Sequence, residues 1–206
     1  MLVLDPLVVP TWLLRDAVSA ESAESINWWG TAWSRGSRKT LPELVEASVL
    51  DAESASLLWA LVERGESVTI AAPMSGAGKT TLLTALLEAV PSHRPRRIVR
   101  GIHDDVARDP PTNDRITMLV NEISPHLPIY CWGPALRSVL ERAVAGDQLL
   151  ATIHARSAND VFEVLSAPPL NLPKELIAGI GWVVVLQSGG GIGRLSEVSG
   201  LRDFNS

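Results

Sequence analysis

Two kinds of apolar pattern alternate along the chain from Thr40 onward. Short apolar runs at Val68 to Ala72, Ile116 to Val120, Gln148 to Ile153 and Trp182 to Gln187 read as strands, the first of them buried on both faces. Between and before them, apolar residues recur at helical spacing. Thr40 opens a helix, and Glu43 three residues later completes a capping box. Asp51 to Arg64 carries Ala52, Ala55, Leu58, Trp59 and Val62 on one side, and Gly65 ends it. Leu82, Leu83, Ala85, Leu86 and Leu87 make a further apolar helical run that Pro91 stops. Helices are also predicted over Ala135 to Ala145, closed by Gly146, over Ala158 to Leu165, and over Pro173 to Ile180. Arg97 to Arg100 is a short strand. Ser188-Gly-Gly-Gly turns the last long strand back into Gly193 to Val198 as a hairpin. Strands alternating with helices predict a layered α/β domain with a mainly parallel sheet and a C-terminal β-hairpin.

The segment before this pattern, residues 1–39, reads as a separate appendage. It holds an acidic, serine-rich stretch from Ser19 to Ser25 and a tryptophan cluster at Trp28, Trp29 and Trp33. Those tryptophans either cap the core of the following domain or form a docking surface, since tryptophan favours interface hot spots.

Composition narrows the class. A chain of 206 residues with 46% hydrophobic residues suits one domain, residues 40–206, and the appendage. The net charge of −5 argues against a nucleic-acid partner. One basic run, His93 to Arg97, reads as a solvated loop. A single cysteine, Cys131, excludes an internal disulfide, fits a reducing compartment and reads as a small core residue. The N-terminus lacks the basic region of a signal peptide, and Ile177 to Leu186 is short of the roughly 20 residues that span a bilayer. A soluble, cytoplasmic protein is expected.

The chemistry begins where the first buried strand ends. Pro73-Met-Ser-Gly-Ala-Gly-Lys-Thr-Thr leads from that strand into an apolar helix, which is the setting of a phosphate-binding P-loop. The N–H groups from Ser75 through Gly76, Ala77, Gly78, Lys79 and Thr80 to Thr81 are expected to surround the phosphates of ATP. Lys79 would reach the β- and γ-phosphates, and the Thr80 hydroxyl would coordinate Mg²⁺. Pro73 stands where the full pattern has glycine. It lacks an N–H and fixes φ, so the loop entry must differ from the usual one.

In open α/β sheets, ligands gather at the carboxyl ends of strands. Two further strands end there in polar groups, one in Asn121-Glu122 and one in His154. Glu122 is placed to order the attacking water or to hold a water of the Mg²⁺ shell, and His154 to contact the γ-phosphate.

Ala151-Thr-Ile-His-Ala-Arg-Ser-Ala resembles the His box of the secretion ATPase superfamily, which includes type II and type IV secretion ATPases, pilus retraction motors and tight-adherence pilus ATPases. The motif order fits as well: a helical lead-in over Leu41 to Leu61, the P-loop, an acidic box, Val120-Asn-Glu-Ile, then the His box. The resemblance covers Thr40 to Phe204. It implies a RecA-like P-loop fold of three layers that hydrolyses MgATP, with Glu122, Lys79 and His154 as the catalytic set. It places the acidic box at His103-Asp-Asp, which makes Asp104 and Asp105 metal candidates beside Thr80 and Glu122. It also implies a homo-oligomer, a hexameric ring completed by an arginine from the same or a neighbouring subunit. Arg100, Arg108 and Arg115 are the candidates. The partner it implies is a secretion or pilus platform at the inner face of a membrane.

Pro73 and the altered acidic box leave a second reading open, a nucleotide-binding scaffold or regulator with little turnover. A third is a small-molecule kinase, which would need an arginine-rich lid that the sequence does not display.

Overall fold

Where helices begin at Thr40, Asp51 and Ser157, those side chains cap the first turn. The computed structural model describes residues 39–109, 114–187 and 193–201; the tryptophan cluster, the acidic stretch before it and the glycine turn of the hairpin lie outside the described residues. Helix α1 (Leu41–Glu46) has the expected capping box, with Thr40 accepting from the Glu43 N–H and the Glu43 carboxylate accepting from the Thr40 N–H at 2.7 Å. Helix α2 (Ala52–Arg64) begins at Asp51, whose carboxylate accepts from the Ser54 N–H at 2.7 Å, and ends at Gly65 in the left-handed region. Strand β1 (Val68–Ala71) leads into α3 (Lys79–Leu86), which tightens into a 3₁₀ turn over Leu87–Ala89. There follow β2 (Arg96–Val99), β3 (Thr117–Ile123), α4 (Pro134–Val144), β4 (Gln148–Ile153) and α5 (Ala158–Ser166), the last capped by Ser157. Where one helix was expected over Pro173 to Ile180, there is one α-helical turn, α6 (Lys174–Ile177), and then a 3₁₀ turn over Ala178–Ile180. Strands β5 (Trp182–Gln187) and β6 (Arg194–Gly200) complete the sheet.

The sheet order is β2-β3-β4-β1-β5-β6, parallel throughout except for the antiparallel β5–β6 hairpin. Strand alternation divides the core into two layers. Val68, Ile70, Leu119, Leu150, Val184 and Leu186 face α1, α2 and α3. Met118, Val120, Leu149, Ala151, Val183 and Val185 face α4, α5 and α6. The three-layer arrangement follows, because both faces of every inner strand carry apolar side chains that need a cover.

One irregularity in this alternation matters for the site. Val120 pairs with Ala151 and Ile123 with Ile153, so β3 spends three residues where β4 spends two. That is a bulge, and it changes phase: Val120 and Ile123 both face the α4–α5 side. Glu122, expected just beyond the strand, lies inside it at this bulge.

The basic run is a solvated loop only at His93 and Pro95, and its arginines are engaged. Arg94 reaches Gln148 Oε1 at 3.2 Å, and Arg96 donates to the carbonyls of Leu87 and Val90 at 3.1 and 3.2 Å, at the carbonyl end of the helix. Arg97 in β2 pairs with Asp104 at 2.6 Å and Asp109 at 2.9 Å. Cys131 is a buried free thiol, pushed up to about 12 by burial first and then by the charge of Asp104. Among the described residues, no helix is long and apolar enough to cross a membrane.

Candidate nucleotide site

The ladder between β1 and β4 runs one residue past both strands. The Ala72 N–H donates to the Ile153 carbonyl, and the Ala155 N–H donates to the Ala72 carbonyl, each at 3.3 Å. His154 is thereby held between two bonds to the root of the glycine-rich loop. Pro73 comes next, has no N–H to extend the ladder, and the chain leaves the sheet. Residues 73–76 are exposed. Gly76 and Gly78 take φ of 80° and 91°, which side chains other than glycine's rarely tolerate, and a Cβ built on Gly76 would meet nothing within 4 Å. Gly78 is the N-cap of α3, and no side chain bonds to the first-turn N–H groups there. Those N–H groups and the helix dipole make an anion-binding end. Ala77 is buried, and its carbonyl accepts from the Gly193 N–H at 3.1 Å, so the hairpin braces the loop from behind. Thr80 and Thr81 are partly exposed in the first turn, and the Thr84 hydroxyl donates to the Thr80 carbonyl at 2.7 Å.

Strand β4 lies between β1 and β3, so His154 emerges between Lys79 and Glu122. Lys79 Nζ is 3.9 Å from Glu122 Oε2 and 3.3 and 3.2 Å from Nδ1 and Nε2 of His154. Near-equal distances to both ring nitrogens put the ammonium against the ring rather than on the lone pair of one of them. His154 Nε2 lies 3.8 Å from Glu122 Oε1, beyond hydrogen-bond range. Lys79 and Glu122 are each 7% exposed. Burial lowers the Lys79 pKa from its ordinary value, and the Glu122 charge opposes that only in part. Glu122 Oε2 accepts from the Thr152 hydroxyl at 2.8 Å, whereas Oε1 is buried with no donor. Thr152 also reaches the Asn121 carbonyl. Nothing in the local sequence marks this threonine as a partner of Glu122, because the pairing depends on the bulge.

The remaining candidates lie apart from this group. Asp104 binds Arg97 through both oxygens, at 2.6 and 3.0 Å, and accepts the Arg100 N–H at 2.7 Å. Asp105 caps a 3₁₀ turn over Val106–Arg108 through the Ala107 N–H and pairs with the exposed Arg108. Arg115 precedes β3 and lies beside Gly146, at the amino-terminal edge of the sheet, opposite Lys79. Among the described residues, no group of three or more His, Cys, Asp or Glu gathers as a protein-only metal site. A magnesium ion does not need one, since it is commonly held by one or two carboxylates together with substrate phosphates.

A three-layer α/β domain with a glycine-rich turn between β1 and α3 is the P-loop NTPase fold, and a solved structure agrees. The VirB11 ATPase of the Brucella suis type IV secretion system, solved with sulphate, matches with a TM-score of 0.55 and 22% identity over 78% of this chain. The match spans 56% of that protein's length. The Legionella pneumophila ATPase DotB matches with a TM-score of 0.47 and 14% identity, over 68% of this chain and 48% of its own. At these identities the likeness to the first shows the fold. No family model matches the chain, and no curated protein matches it.

Proposed function

We propose that residues 40–206 form an ATPase domain that binds MgATP and hydrolyses it as the secretion ATPases do. The observation that supports this most is the meeting of Lys79, Glu122 and His154 beside the uncapped start of α3, with Glu122 Oε1 buried and lacking a donor. A buried carboxylate oxygen without a donor is costly unless a ligand or water supplies one. The N–H groups of Ser75 to Thr81 cradle the phosphates, and Lys79 exchanges Glu122 for the β- and γ-phosphates. Thr80 would coordinate Mg²⁺ and Glu122 would hold it through a water of its shell; the ion, when bound, neutralises charge building up on the transferred phosphoryl group. Glu122 Oε1 takes the proton of the attacking water, and His154 contacts the γ-phosphate. Asp104 and Asp105 hold their own loop, Asp104 through Arg97 and Asp105 through the Ala107 N–H.

The test is steady-state MgATP hydrolysis by wild type and Glu122→Gln, run beside a thermal-shift titration with ATP. Ligand at about 100 times Kd stabilises by roughly 2.7 kcal/mol, so binding registers without turnover. Turnover that disappears in Glu122→Gln while the thermal shift persists supports the reading. Normal hydrolysis by Glu122→Gln overturns Glu122 as the base. The scaffold reading has its own support, since Lys79 is engaged by Glu122 and His154. A thermal shift with no turnover in either protein would favour it.

Assembly belongs to the same proposal. A homo-oligomeric ring, hexameric by the resemblance, would complete each site with an arginine from the same or a neighbouring subunit and would work in the cytoplasm at a membrane platform. Activity per protomer should then rise with protein concentration, and a flat dependence down to nanomolar protein would count against shared sites.

A further inference from the structure

We propose that Thr152 is the positioning residue for the catalytic glutamate: its hydroxyl holds Glu122 Oε2, so that Oε1 alone is turned toward the reacting water. This rests on the reading of Glu122 as the base. The bulge brings the two together. With three residues of β3 set against two of β4 between Val120 and Ile123, Glu122 leaves the face of Val120 and comes opposite Thr152. A carboxylate on a bulge lacks the regular cross-strand neighbours that fix side chains in a ladder, and its two oxygens are chemically equivalent until something distinguishes them.

Thr152 makes that distinction. It is fully buried, and its β-branched side chain is stiff about χ1. Its hydroxyl lies 2.8 Å from Oε2 and also within reach of the Asn121 carbonyl. A hydroxyl has one proton, so it donates to one acceptor at a time. An ionised Glu122 draws that proton to Oε2 by a charge-assisted bond. When Oε1 takes a proton from water, the water O–H bond breaks and the Oε1–H bond forms. The water oxygen bonds to the γ-phosphorus, and the bond to the β–γ bridging oxygen breaks to release ADP. The threonine keeps its own proton throughout, and the Asn121 carbonyl is available to it once Glu122 is neutral. Packing alone would be served as well by valine, which has the same shape without the hydroxyl.

The test compares Thr152→Val, Thr152→Ser and Glu122→Gln in the full chain. Thr152→Val should lower kcat on the order of ten-fold or more, since part of the general-base contribution goes with the orientation. KM for ATP and the MgATP thermal shift should not move. Thr152→Ser should restore kcat, and Thr152→Val should add nothing to Glu122→Gln. Wild-type kcat in Thr152→Val, with Glu122→Gln inactive, overturns this proposal and leaves the proposed function standing. Normal turnover in Glu122→Gln overturns both. A crystal structure of Thr152→Val decides without turnover: a carboxylate swung from its wild-type position supports the proposal, and one left in place overturns it.

Discussion

Lys79 Nζ and Glu122 Oε2 stand 3.9 Å apart with both side chains almost wholly buried, yet burial outweighs the attraction and lowers the lysine's pKa. A pair of this kind does not stabilise the fold, because desolvating two charges costs more than a loose contact returns. The contact is therefore expected to cost stability, and the proposed exchange of Glu122 for phosphate would relieve it. Removing both charges with Lys79→Met and Glu122→Gln should raise the unfolding free energy of the nucleotide-free protein by about 1–2 kcal/mol, while abolishing the MgATP thermal shift. Denaturant titration measures the first effect. A double variant less stable than wild type would make the pair a net stabiliser.

The direction of the lysine's shift gives a pH dependence. Lys79 titrates at its ordinary 10.5 in the unfolded chain and below that in the fold. Between the two values the unfolded state binds more protons, so this contribution rises with pH. It is fully present above 10.5 and is lost as pH falls through the folded value. The stability of wild type relative to Lys79→Met should therefore improve as pH is raised from neutral toward that limit. Paired denaturation curves across the range would show it, and a difference independent of pH would mean that Lys79 is solvated.

Gly193 sits where the hairpin meets the phosphate loop. A Cβ there would come 2.6 Å from the Ala77 carbonyl oxygen, a backbone atom that cannot turn aside. Gly193→Ala must displace either the hairpin or the loop. ATP affinity is expected to fall on the order of ten-fold, about 1.4 kcal/mol, measured by calorimetry. Unchanged affinity would show that the hairpin yields and the loop does not depend on it.

What was legible in the sequence was the geometry carried by local pattern. Strand β1, the glycines at 76 and 78 and the start of α3 follow from burial and turn geometry within one short stretch. Lys79, Glu122 and His154 were each found from the strand or helix end they occupy, and the fold brings all three together. The bulge at Asn121-Glu122 was not legible. Met118, Leu119 and Val120 are apolar on both faces, so the run carries no phase from which a slip could be read. Its partner Thr152 is 30 positions away, and only the non-local placement of β4 beside β3 joins them. The basic run misled for a related reason. Charge suggests solvent, but Arg96 lies against the carbonyl end of a helix and Arg97 between two carboxylates.

Asp104 separates motif from geometry most sharply. The resemblance puts it in an acidic box as a metal candidate, but in the fold both its oxygens bind Arg97 and one also accepts the Arg100 N–H. Burial works against the Arg97 charge, yet Asp104 and Asp109 together hold that guanidinium above its ordinary range. Asp104→Asn keeps the shape and removes the charge, leaving Arg97 with Asp109 as its remaining carboxylate. A structural role predicts a loss of about 1–3 kcal/mol in unfolding free energy, with the MgATP thermal shift and the Mg²⁺ dependence of hydrolysis unchanged. A metal role predicts the reverse: stability close to wild type, and a raised Mg²⁺ requirement. Titrating Mg²⁺ at fixed ATP against both proteins, beside their denaturation curves, distinguishes the two, and the bonds to Arg97 and Arg100 favour the first.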